Sequence, residues 1–239
     1  MNQELFFESK TSKADDQPSR KPVPISPDML IPSKAGQLID FEQGMSRFPL
    51  VTCAMIAVLG VVYLWEFSSG ALASSQDLIN AGALYRDGVF NGEIWRLCTA
   101  IFLHGSFDHL VGNCIALYIL GVACEHIYGS KQTIGAYWMS GICGSILSTL
   151  TDPGPGVGAS GAIFGLLGMF ITFLWTNDQL FVPRNKRVCA ALAIWAGYSM
   201  LGGFLNPMID NMAHVGGFVA GAIGSFFWKP VILNNVSSI

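Results

Sequence analysis

Residues 157–175, VGASGAIFGLLGMFITFLW, decide the fold, because they form an uncharged apolar stretch as long as a membrane-spanning helix. A helix crosses a hydrocarbon core of about 30 Å with roughly 17 to 25 residues. Ser160 lies near the start of this stretch. The preceding run Pro153 to Gly156 cannot be helical, so the helix is expected to begin just before Ser160. The first N–H groups of such a helix have no intrahelical acceptors.

Five further stretches of the chain have the same apolar character. Hydrophobic residues make up 51% of the sequence and charged residues only 12%, which excludes a water-soluble globule for most of the chain. The sequence therefore predicts an all-α membrane protein with a bundle of six transmembrane helices. The predicted spans are residues 48–67, 107–128, 133–150, 157–175, 188–205 and 212–228.

The segments outside these spans differ in length and composition. Residues 1–47 carry 6 of the 13 Lys and Arg residues, 7 of the 16 Asp and Glu residues, and several prolines, a composition typical of a disordered tail. Neither a secretory signal peptide nor a mitochondrial transit peptide fits it. The loop 68–106 is long for a compact bundle, so a functional or membrane-surface role is expected. The predicted domains are a tail at 1–47, a membrane domain at 48–229 and a short tail at 230–239.

The basic residues predict the orientation of the chain. The tails and the segments after spans two and four hold 11 of the 13 basic residues, and the opposite side holds Arg86 and Arg96. Since positive charge accumulates in cytoplasmic loops, both termini are predicted to be cytosolic. The sequence does not distinguish the plasma membrane from a membrane of the secretory pathway.

Four polar residues fall at similar depth on the side opposite the cytosol. Ser160 begins span four, His214 begins span six, and His109 and Asn113 begin span two. A neutral imidazole at His214 could take a proton from Ser160 as general base. By itself Ser160 fits a helix cap or a small packing residue better than a nucleophile, and His214 could be a buried structural histidine; the two residues together reverse that preference. The cost of an ionisable group inside a membrane span favours the catalytic interpretation.

His109 and Asn113 project from one helix face because they are four residues apart. Both can donate hydrogen bonds, which suits an oxyanion site; the alternative is polar contact between helices. His104 and His109 lack the glutamate of a zinc-protease helix motif, so no metal site and no cofactor are expected.

Five of the six cysteines lie inside predicted spans and are interpreted as small apolar residues. Glu125, near the inner end of span two, is interpreted as a structural carboxylate.

Two glycine pairs predict a close helix contact. Gly161 and Gly165 in span four, and Gly217 and Gly221 in span six, are each spaced four apart. Small residues at this spacing let helix backbones approach closely. Such packing would bring the helices of Ser160 and His214 together.

The chain from about residue 48 to 229 resembles the rhomboid intramembrane serine proteases. Five ordered pieces carry the resemblance: Trp95-Arg96, then His104 with His109 and Asn113, then Gly121-x-x-x-Glu125-x-x-x-Gly129, then Gly158-x-Ser160-Gly161, then His214-x-x-Gly217-x-x-x-Gly221.

The resemblance implies a fold, an activity and a set of residue roles. It implies Ser160 as nucleophile, His214 as general base, and His109 and Asn113 as oxyanion donors beside the Ser160 N–H. It places Trp95-Arg96 in a membrane-associated first loop and gives Gly217 and Gly221 a packing role. Many family members have tyrosine where this chain has Phe164, which keeps the aromatic face against the histidine. A dyad is implied, so Asp210 is interpreted as a loop or capping residue and not as part of a triad.

The implied function is hydrolysis of peptide bonds in single-pass membrane proteins by a six-helix rhomboid-like bundle. The expected partners are transmembrane substrates and the lipid bilayer, with no nucleic acid, and the oligomeric state stays open. One alternative is a non-catalytic relative that binds and routes membrane clients, although such proteins typically lack the serine or the histidine. A channel or transporter is a further alternative, but no comparable polar set lies on the inner side.

Overall fold

The computed structural model describes residues 38–151, 154–205 and 209–233. Residues 1–37 of the tail predicted at 1–47 and most of the predicted C-terminal tail lie outside the described residues, as do Asp152 and Pro153. The described chain is helical, with two isolated β-bridges and no β-strand in these ranges. The helices are α1 (Leu50–Ser69), α2 (Ser75–Ala81), α3 (Arg86–Phe90), α4 (Arg96–Thr99), α5 (Phe107–Tyr128), α6 (Ser130–Thr151), α7 (Ser160–Thr176), α8 (Pro183–Leu205) and α9 (Asn211–Phe227).

Three helical stretches are long and apolar enough to cross a membrane: Leu50–Ser69, Phe107–Tyr128 and Asn211–Leu233. The shorter Ser160–Thr176 is also apolar. A helix is found at each of the six predicted spans. The helical class of the fold is therefore confirmed, whereas six membrane crossings and a membrane-associated first loop stay predictions.

Helix α6 is less apolar because hydroxyl side chains recur along it. Most of these side chains lie inside the protein and not on its surface: Thr133, Ser140, Ser145, Ser148 and Thr149 are all buried. Hydroxyl groups in a helix can bond the carbonyl one turn earlier, as Thr149 Oγ1 does to Ser145 O at 2.8 Å. The polar face of α6 therefore packs against its neighbours.

Helix α7 forms the centre of the protein. Every residue from Gly161 to Phe170 is buried, as expected for a helix that is hydrophobic on all sides. Helices α6 and α9 pack most extensively against it, and α5 and α8 contact it less. Ser160, the first residue of α7, therefore lies at the end of the most enclosed helix of the described chain.

Glycine and capping residues set the helix ends near the site. Gly129 ends α5 with φ +81° and lets the chain turn directly into α6, a backbone conformation that glycine adopts without strain. The side chain of Ser106 caps α5 by accepting the His109 N–H at 3.2 Å. Asp210 caps α9 in the same way, accepting the Ala213 N–H at 2.9 Å.

The described part of the N-terminal region contacts the helical core. Ile39 forms a parallel bridge with Phe181, and Phe41 is buried with its ring 5.4 Å from that of Phe170. Arg184 at the start of α8 pairs with two carboxylates of this segment, those of Asp40 and Glu42. Ordered structure therefore begins before residue 48, where the sequence places the start of the membrane domain.

Candidate active site

The loop before Ser160 is hydrogen-bonded at two points to the long first loop. Gly156 and Leu84 exchange two backbone hydrogen bonds of 2.9 Å each, and the Gly158 N–H donates to Ala100 O at 2.9 Å. Gly158 has φ +130°, a conformation that side-chain-bearing residues rarely adopt. The start of α7 and the position of Ser160 are thus fixed by residues far away in sequence.

His214 lies in the first turn of α9 and contacts Ser160 directly. Its Nε2 is 2.9 Å from Ser160 Oγ, within ordinary hydrogen-bond length. His214 is 7% exposed, and its imidazole stacks on Phe164, with ring centroids 4.1 Å apart and planes 7° apart. The other ring nitrogen, Nδ1, has no hydrogen-bond partner within the part of the chain that the structure describes. The serine and the histidine predicted from the sequence are therefore in contact.

The two glycine pairs face each other across α7 and α9. A Cβ atom at Gly217 would lie 1.9 Å from the Gly161 carbonyl oxygen, and one at Gly221 would lie 1.8 Å from the Gly165 carbonyl oxygen. Real Cβ atoms do not approach so closely, so only hydrogen fits at these positions. The backbone contact brings the starts of the two helices close enough for the hydrogen bond between Ser160 and His214.

His109 and Asn113 approach the same site from α5. An ideal Cβ on Gly158 would lie 2.7 Å from His109 Cε1 and 3.5 Å from Asn113 Nδ2. Asn113 is buried, and its Nδ2 has no hydrogen-bond partner among the described residues. The glycine two residues before Ser160 therefore makes room for two side chains that can donate hydrogen bonds.

His104 is adjacent to His109 and is fully buried. Its ring is 5.1 Å from the His109 ring, and its backbone N–H donates to the Glu66 carboxylate oxygens at 3.0 and 3.2 Å. Burial, with a smaller contribution from the neighbouring His109, lowers the pKa of His104 to about 4. His104 is therefore neutral at pH 7 and joins the end of α1 to the start of α5.

Trp95 and Arg96 organise the first loop. The buried Arg96 guanidinium donates to Ile79 O at 2.6 Å and to Ala83 O at 2.9 Å. Its Nε lies 2.5 Å from Glu93 Oε2, and its Cζ lies 4.4 Å above the Trp95 ring. These contacts stay within the loop, next to Leu84 and therefore next to the bridge with Gly156.

Glu125 is far along α5 from His109 and does not contribute to the Ser160 site. Its carboxylate accepts the N–H groups of Val51 at 3.1 Å and Thr52 at 2.9 Å. It also accepts the hydroxyls of Thr52 at 2.9 Å and Ser130 at 2.6 Å. Glu125 thus satisfies free donors at the starts of α1 and α6.

Two residues near the site were not identified from the sequence. Glu66 is fully buried and holds the His104 backbone; the available signal is a lone carboxylate inside an apolar span, which needs a partner. Trp195 on α8 stacks on Phe164 with ring centroids 6.1 Å apart. An aromatic residue in an apolar helix carries no such signal, so Trp195 could not have been singled out.

A comparison with known families decides the identity of the chain. The family model of the Rhomboid domain matches residues 91–230, which include all the residues of the Ser160 site. The chain belongs to the rhomboid family. This confirms the resemblance inferred from the sequence, and with the apolar helices it makes the protein an integral membrane protein of a family that includes serine proteases.

Individual rhomboid relatives cover the chain to a similar extent. RHOMBOID-like protein 5 of Arabidopsis thaliana is 41% identical over 76% of this chain and 58% of its own length. Rhomboid protease GluP of Bacillus subtilis is 34% identical over 76% of this chain and 34% of its own. YdcA of the same bacterium is 33% identical over 78% of this chain and 92% of its own. The chain thus spans about half, or less, of the length of the first two relatives.

Proposed function

We propose that this rhomboid is an intramembrane serine endopeptidase that cleaves single-pass transmembrane proteins with a dyad of Ser160 and His214. The observation that carries the proposal is the 2.9 Å contact between Ser160 Oγ and His214 Nε2 at the joined starts of two apolar helices. A serine hydroxyl is a weak nucleophile until a neighbouring base accepts its proton. His214 is the only described imidazole hydrogen-bonded to that hydroxyl.

The reaction has two stages of acyl transfer. Ser160 Oγ attacks the scissile carbonyl carbon while its proton passes to His214 Nε2. The tetrahedral intermediate collapses, the C–N bond breaks, and the leaving amine takes the proton from His214. Water then attacks the acyl-enzyme ester with His214 again acting as base, which releases the carboxylic acid and restores the serine.

The negative oxygen of the intermediate needs hydrogen-bond donors in fixed positions. Asn113 Nδ2 suits this role because it is buried without a partner among the described residues. His109 lies beside it against Gly158, and the Ser160 N–H is free at the first turn of α7. The helix dipole of α7 adds positive potential at the same place.

The Phe164 ring holds the base in the orientation that the reaction requires. The nearly parallel planes of Phe164 and His214 leave the imidazole edge facing Ser160. Phenylalanine provides this contact without a hydroxyl, so its role is to position the ring. The Trp195 ring also stacks on Phe164, with ring centroids 6.1 Å apart and planes 20° apart.

The membrane context follows from the length of α7. Its 17 residues span about 26 Å at about 1.5 Å per residue, which is less than the hydrocarbon thickness of about 30 Å. A helix shorter than the hydrocarbon core leaves an end below the membrane surface, and in this proposal that end is the one with Ser160. With six crossings and cytosolic termini, that end faces away from the cytosol, in the plasma membrane or the secretory pathway.

The substrate must be locally unfolded to reach Ser160. A helix hides its carbonyl groups in hydrogen bonds, so a single-pass substrate with helix-breaking residues near the cleavage site is preferred. Non-helical backbone at this depth is tolerated only where protein or water satisfies it. The reaction requires no metal or cofactor in this proposal.

The test is cleavage of such a substrate by the purified protein in proteoliposomes, without metal or ATP. Ser160→Ala and His214→Ala should each abolish cleavage while the unfolding temperature in detergent stays near that of the wild type. Product from either folded variant would contradict the dyad.

A fluorophosphonate probe separates the enzyme from a non-catalytic client-binding protein. The probe should label the wild type and not Ser160→Ala. A wild-type protein that binds a transmembrane substrate but neither cleaves it nor reacts with the probe would favour the binding function.

A further inference from the structure

Asp210 lies one helical turn before His214 and links three parts of the fold. Its Oδ1 accepts the Ala213 N–H at 2.9 Å, and its Oδ2 accepts the hydroxyl of Ser148 on α6. Its backbone carbonyl accepts the His214 N–H at 3.3 Å. Through these bonds one carboxylate connects the start of α9 to the last turns of α6.

The same carboxylate reaches the loop that precedes Ser160. Oδ2 would lie 3.5 Å from an ideal Cβ on Gly156, and Gly156 pairs with Leu84 of the first loop. The end of α6 is also held from that loop, because Arg86 Nε donates to Thr149 O at 2.8 Å. Asp210 therefore lies where three parts of the chain meet: the segment before Ser160 (residues 154–159, here called the serine loop), the start of α9, and the end of α6 that the first loop also holds.

Asp210 does not have the geometry of a third triad member. The carboxylate of a triad binds the imidazole nitrogen that faces away from the serine. Both Asp210 oxygens are taken by Ser148 and Ala213, and His214 Nδ1 is without a partner within the described ranges. Asp210 therefore holds the backbone of the first turn of α9 and not the imidazole ring itself.

The first turn of α9 packs closely against small residues, so its position is sensitive to the loss of a contact. The Ala213 carbonyl oxygen would lie 2.6 Å from a Cβ on Gly144 of α6 and 3.2 Å from one on Gly161 of α7. The first turn of α9 is thus seated directly on two backbones. A small shift or rotation of this turn moves Nε2 of the next residue, His214, away from Ser160.

We infer that Asp210 is a positioning residue for His214, clamping the first turn of α9 to Ser148 of α6 so that the imidazole meets Ser160. The inference rests on the proposed protease function. Displacement of a catalytic group by about 1 Å can cost about a hundredfold in rate. The clamp acts on the chemical step and not on substrate affinity, since Asp210 faces α6 and the serine loop.

The test compares three variants in the full-length protein in proteoliposomes. Asp210→Ala removes both bonds and should lower kcat by about tenfold or more, with KM within roughly threefold of the wild type. Asp210→Asn keeps an acceptor for Ala213 and can donate to Ser148 Oγ, so it should keep kcat within roughly threefold. Ser148→Ala breaks half of the clamp and should give an intermediate kcat.

A double variant and a matched control sharpen the result. Asp210→Ala with Ser148→Ala should be no slower than Asp210→Ala alone, because both changes break the same bond. Ser74→Ala removes the cap of the short helix α2, where Ser74 Oγ accepts the Asp77 N–H at 3.2 Å. Ser74→Ala should leave kcat unchanged, although it removes a helix cap of the same kind as the one that Asp210→Ala removes from α9.

The possible outcomes separate this inference from the proposed function. Wild-type kcat in Asp210→Ala and Ser148→Ala, with no cleavage by Ser160→Ala, would overturn the clamp and leave the protease intact. If Asp210→Asn is as slow as Asp210→Ala, the charge and not the clamp supports His214, and the inference is wrong. If Asp210→Ala does not fold, Asp210→Asn and Ser148→Ala decide by the same criteria. No cleavage by the wild type would reject the protease itself.

Discussion

Gly217 on α9 rests on the backbone of α7, where a Cβ atom would lie 1.9 Å from the Gly161 carbonyl oxygen. Neither backbone can yield to a side chain at this position without moving a whole helix. Gly161 directly follows Ser160, and Gly217 lies about one turn after His214, so the contact determines the separation of the two helices at the site.

Gly217→Ala should push α9 away from α7. We expect a loss of about 1–3 kcal/mol in the free energy of unfolding and a kcat reduced by about a hundredfold, since His214 moves with its helix. The matched control is Gly60→Ala on α1, where a Cβ meets nothing within 4 Å. Thermal unfolding in detergent and cleavage rates measure both effects, and a wild-type kcat in Gly217→Ala would contradict the close packing.

Phe164→Leu should make the orientation of the His214 imidazole less fixed, because it removes the aromatic ring whose centroid lies 4.1 Å from that of the imidazole. Aromatic pairs contribute about 0.5–1.5 kcal/mol beyond area burial, so kcat should fall by up to about tenfold. Phe164→Tyr keeps the ring and should cleave at nearly the wild-type rate. Phe173→Leu, which removes a buried ring from the other end of α7, controls for lost packing; an equal drop in kcat for both leucine variants would argue against a specific role for Phe164.

Asn113→Ala should remove a donor for the oxyanion. The loss of one such donor typically costs about 10² to 10³ in kcat, while KM should change little because the negative charge develops only during the reaction. Asn113→Asp has the same shape but no donor and a negative charge, so it should be at least as slow. Full kcat in Asn113→Ala would show that other groups stabilise the oxyanion.

The stability of the protein should fall on acidification because His104 is buried in its neutral form. The pKa of His104 is about 4 in the folded protein, against an ordinary value of 6.5. The unfolded chain therefore binds a proton first as the pH falls below about 6.5, and the stabilisation is lost progressively down to about pH 4. At about 1.4 kcal/mol per pH unit the full loss is roughly 3 kcal/mol.

The measurement is the unfolding temperature of the wild type and of His104→Asn between pH 7 and pH 5. His104→Asn should be less stable at pH 7, because the ring contact with Phe102 O at 3.1 Å is lost, but its unfolding temperature should depend less on pH. Identical pH slopes in the two proteins would show that His104 titrates normally.

Glu125→Ala should destabilise the protein through the lost bonds at the starts of α1 and α6. Hydrogen bonds to a charged acceptor are worth about 1.5–3 kcal/mol each, so the unfolding temperature should fall by several degrees. At a temperature where it is folded, the variant should retain its kcat, since Glu125 lies away from Ser160. The control is Glu42→Ala, whose exposed pair with Arg184 should contribute little.

The sequence predicts the helices and the polar residues of the site well, for a physical reason. Apolar stretches of membrane length are a strong signal, and Ser160, His214, His109 and Asn113 each interrupt one near its start. The alternation of helix direction then brings these starts to the same side of the protein. The structure adds the distances, above all the 2.9 Å between Ser160 and His214.

Contacts that depend on side-chain packing cannot be predicted from the sequence as the helices and the polar site residues can. The bond from the His104 backbone to Glu66 joins residues on different elements, and no periodic pattern marks it. The stack of Trp195 on Phe164 depends on the rotation of α8, which apolar composition leaves undetermined. The sequence places the start of the membrane domain at residue 48, where the first apolar span begins, and the charges and prolines before it obscure the two apolar residues Ile39 and Phe41.

The pairing of Ile39 with Phe181 has a practical consequence for shortened forms of this rhomboid. A form that starts at residue 48 would leave the Phe170 ring without Phe41 and Arg184 without its two carboxylate partners. A form that starts at residue 38 keeps all of these contacts. The design of expression vectors should therefore follow the backbone pairing at Ile39 and not the first hydrophobic residue of the first span.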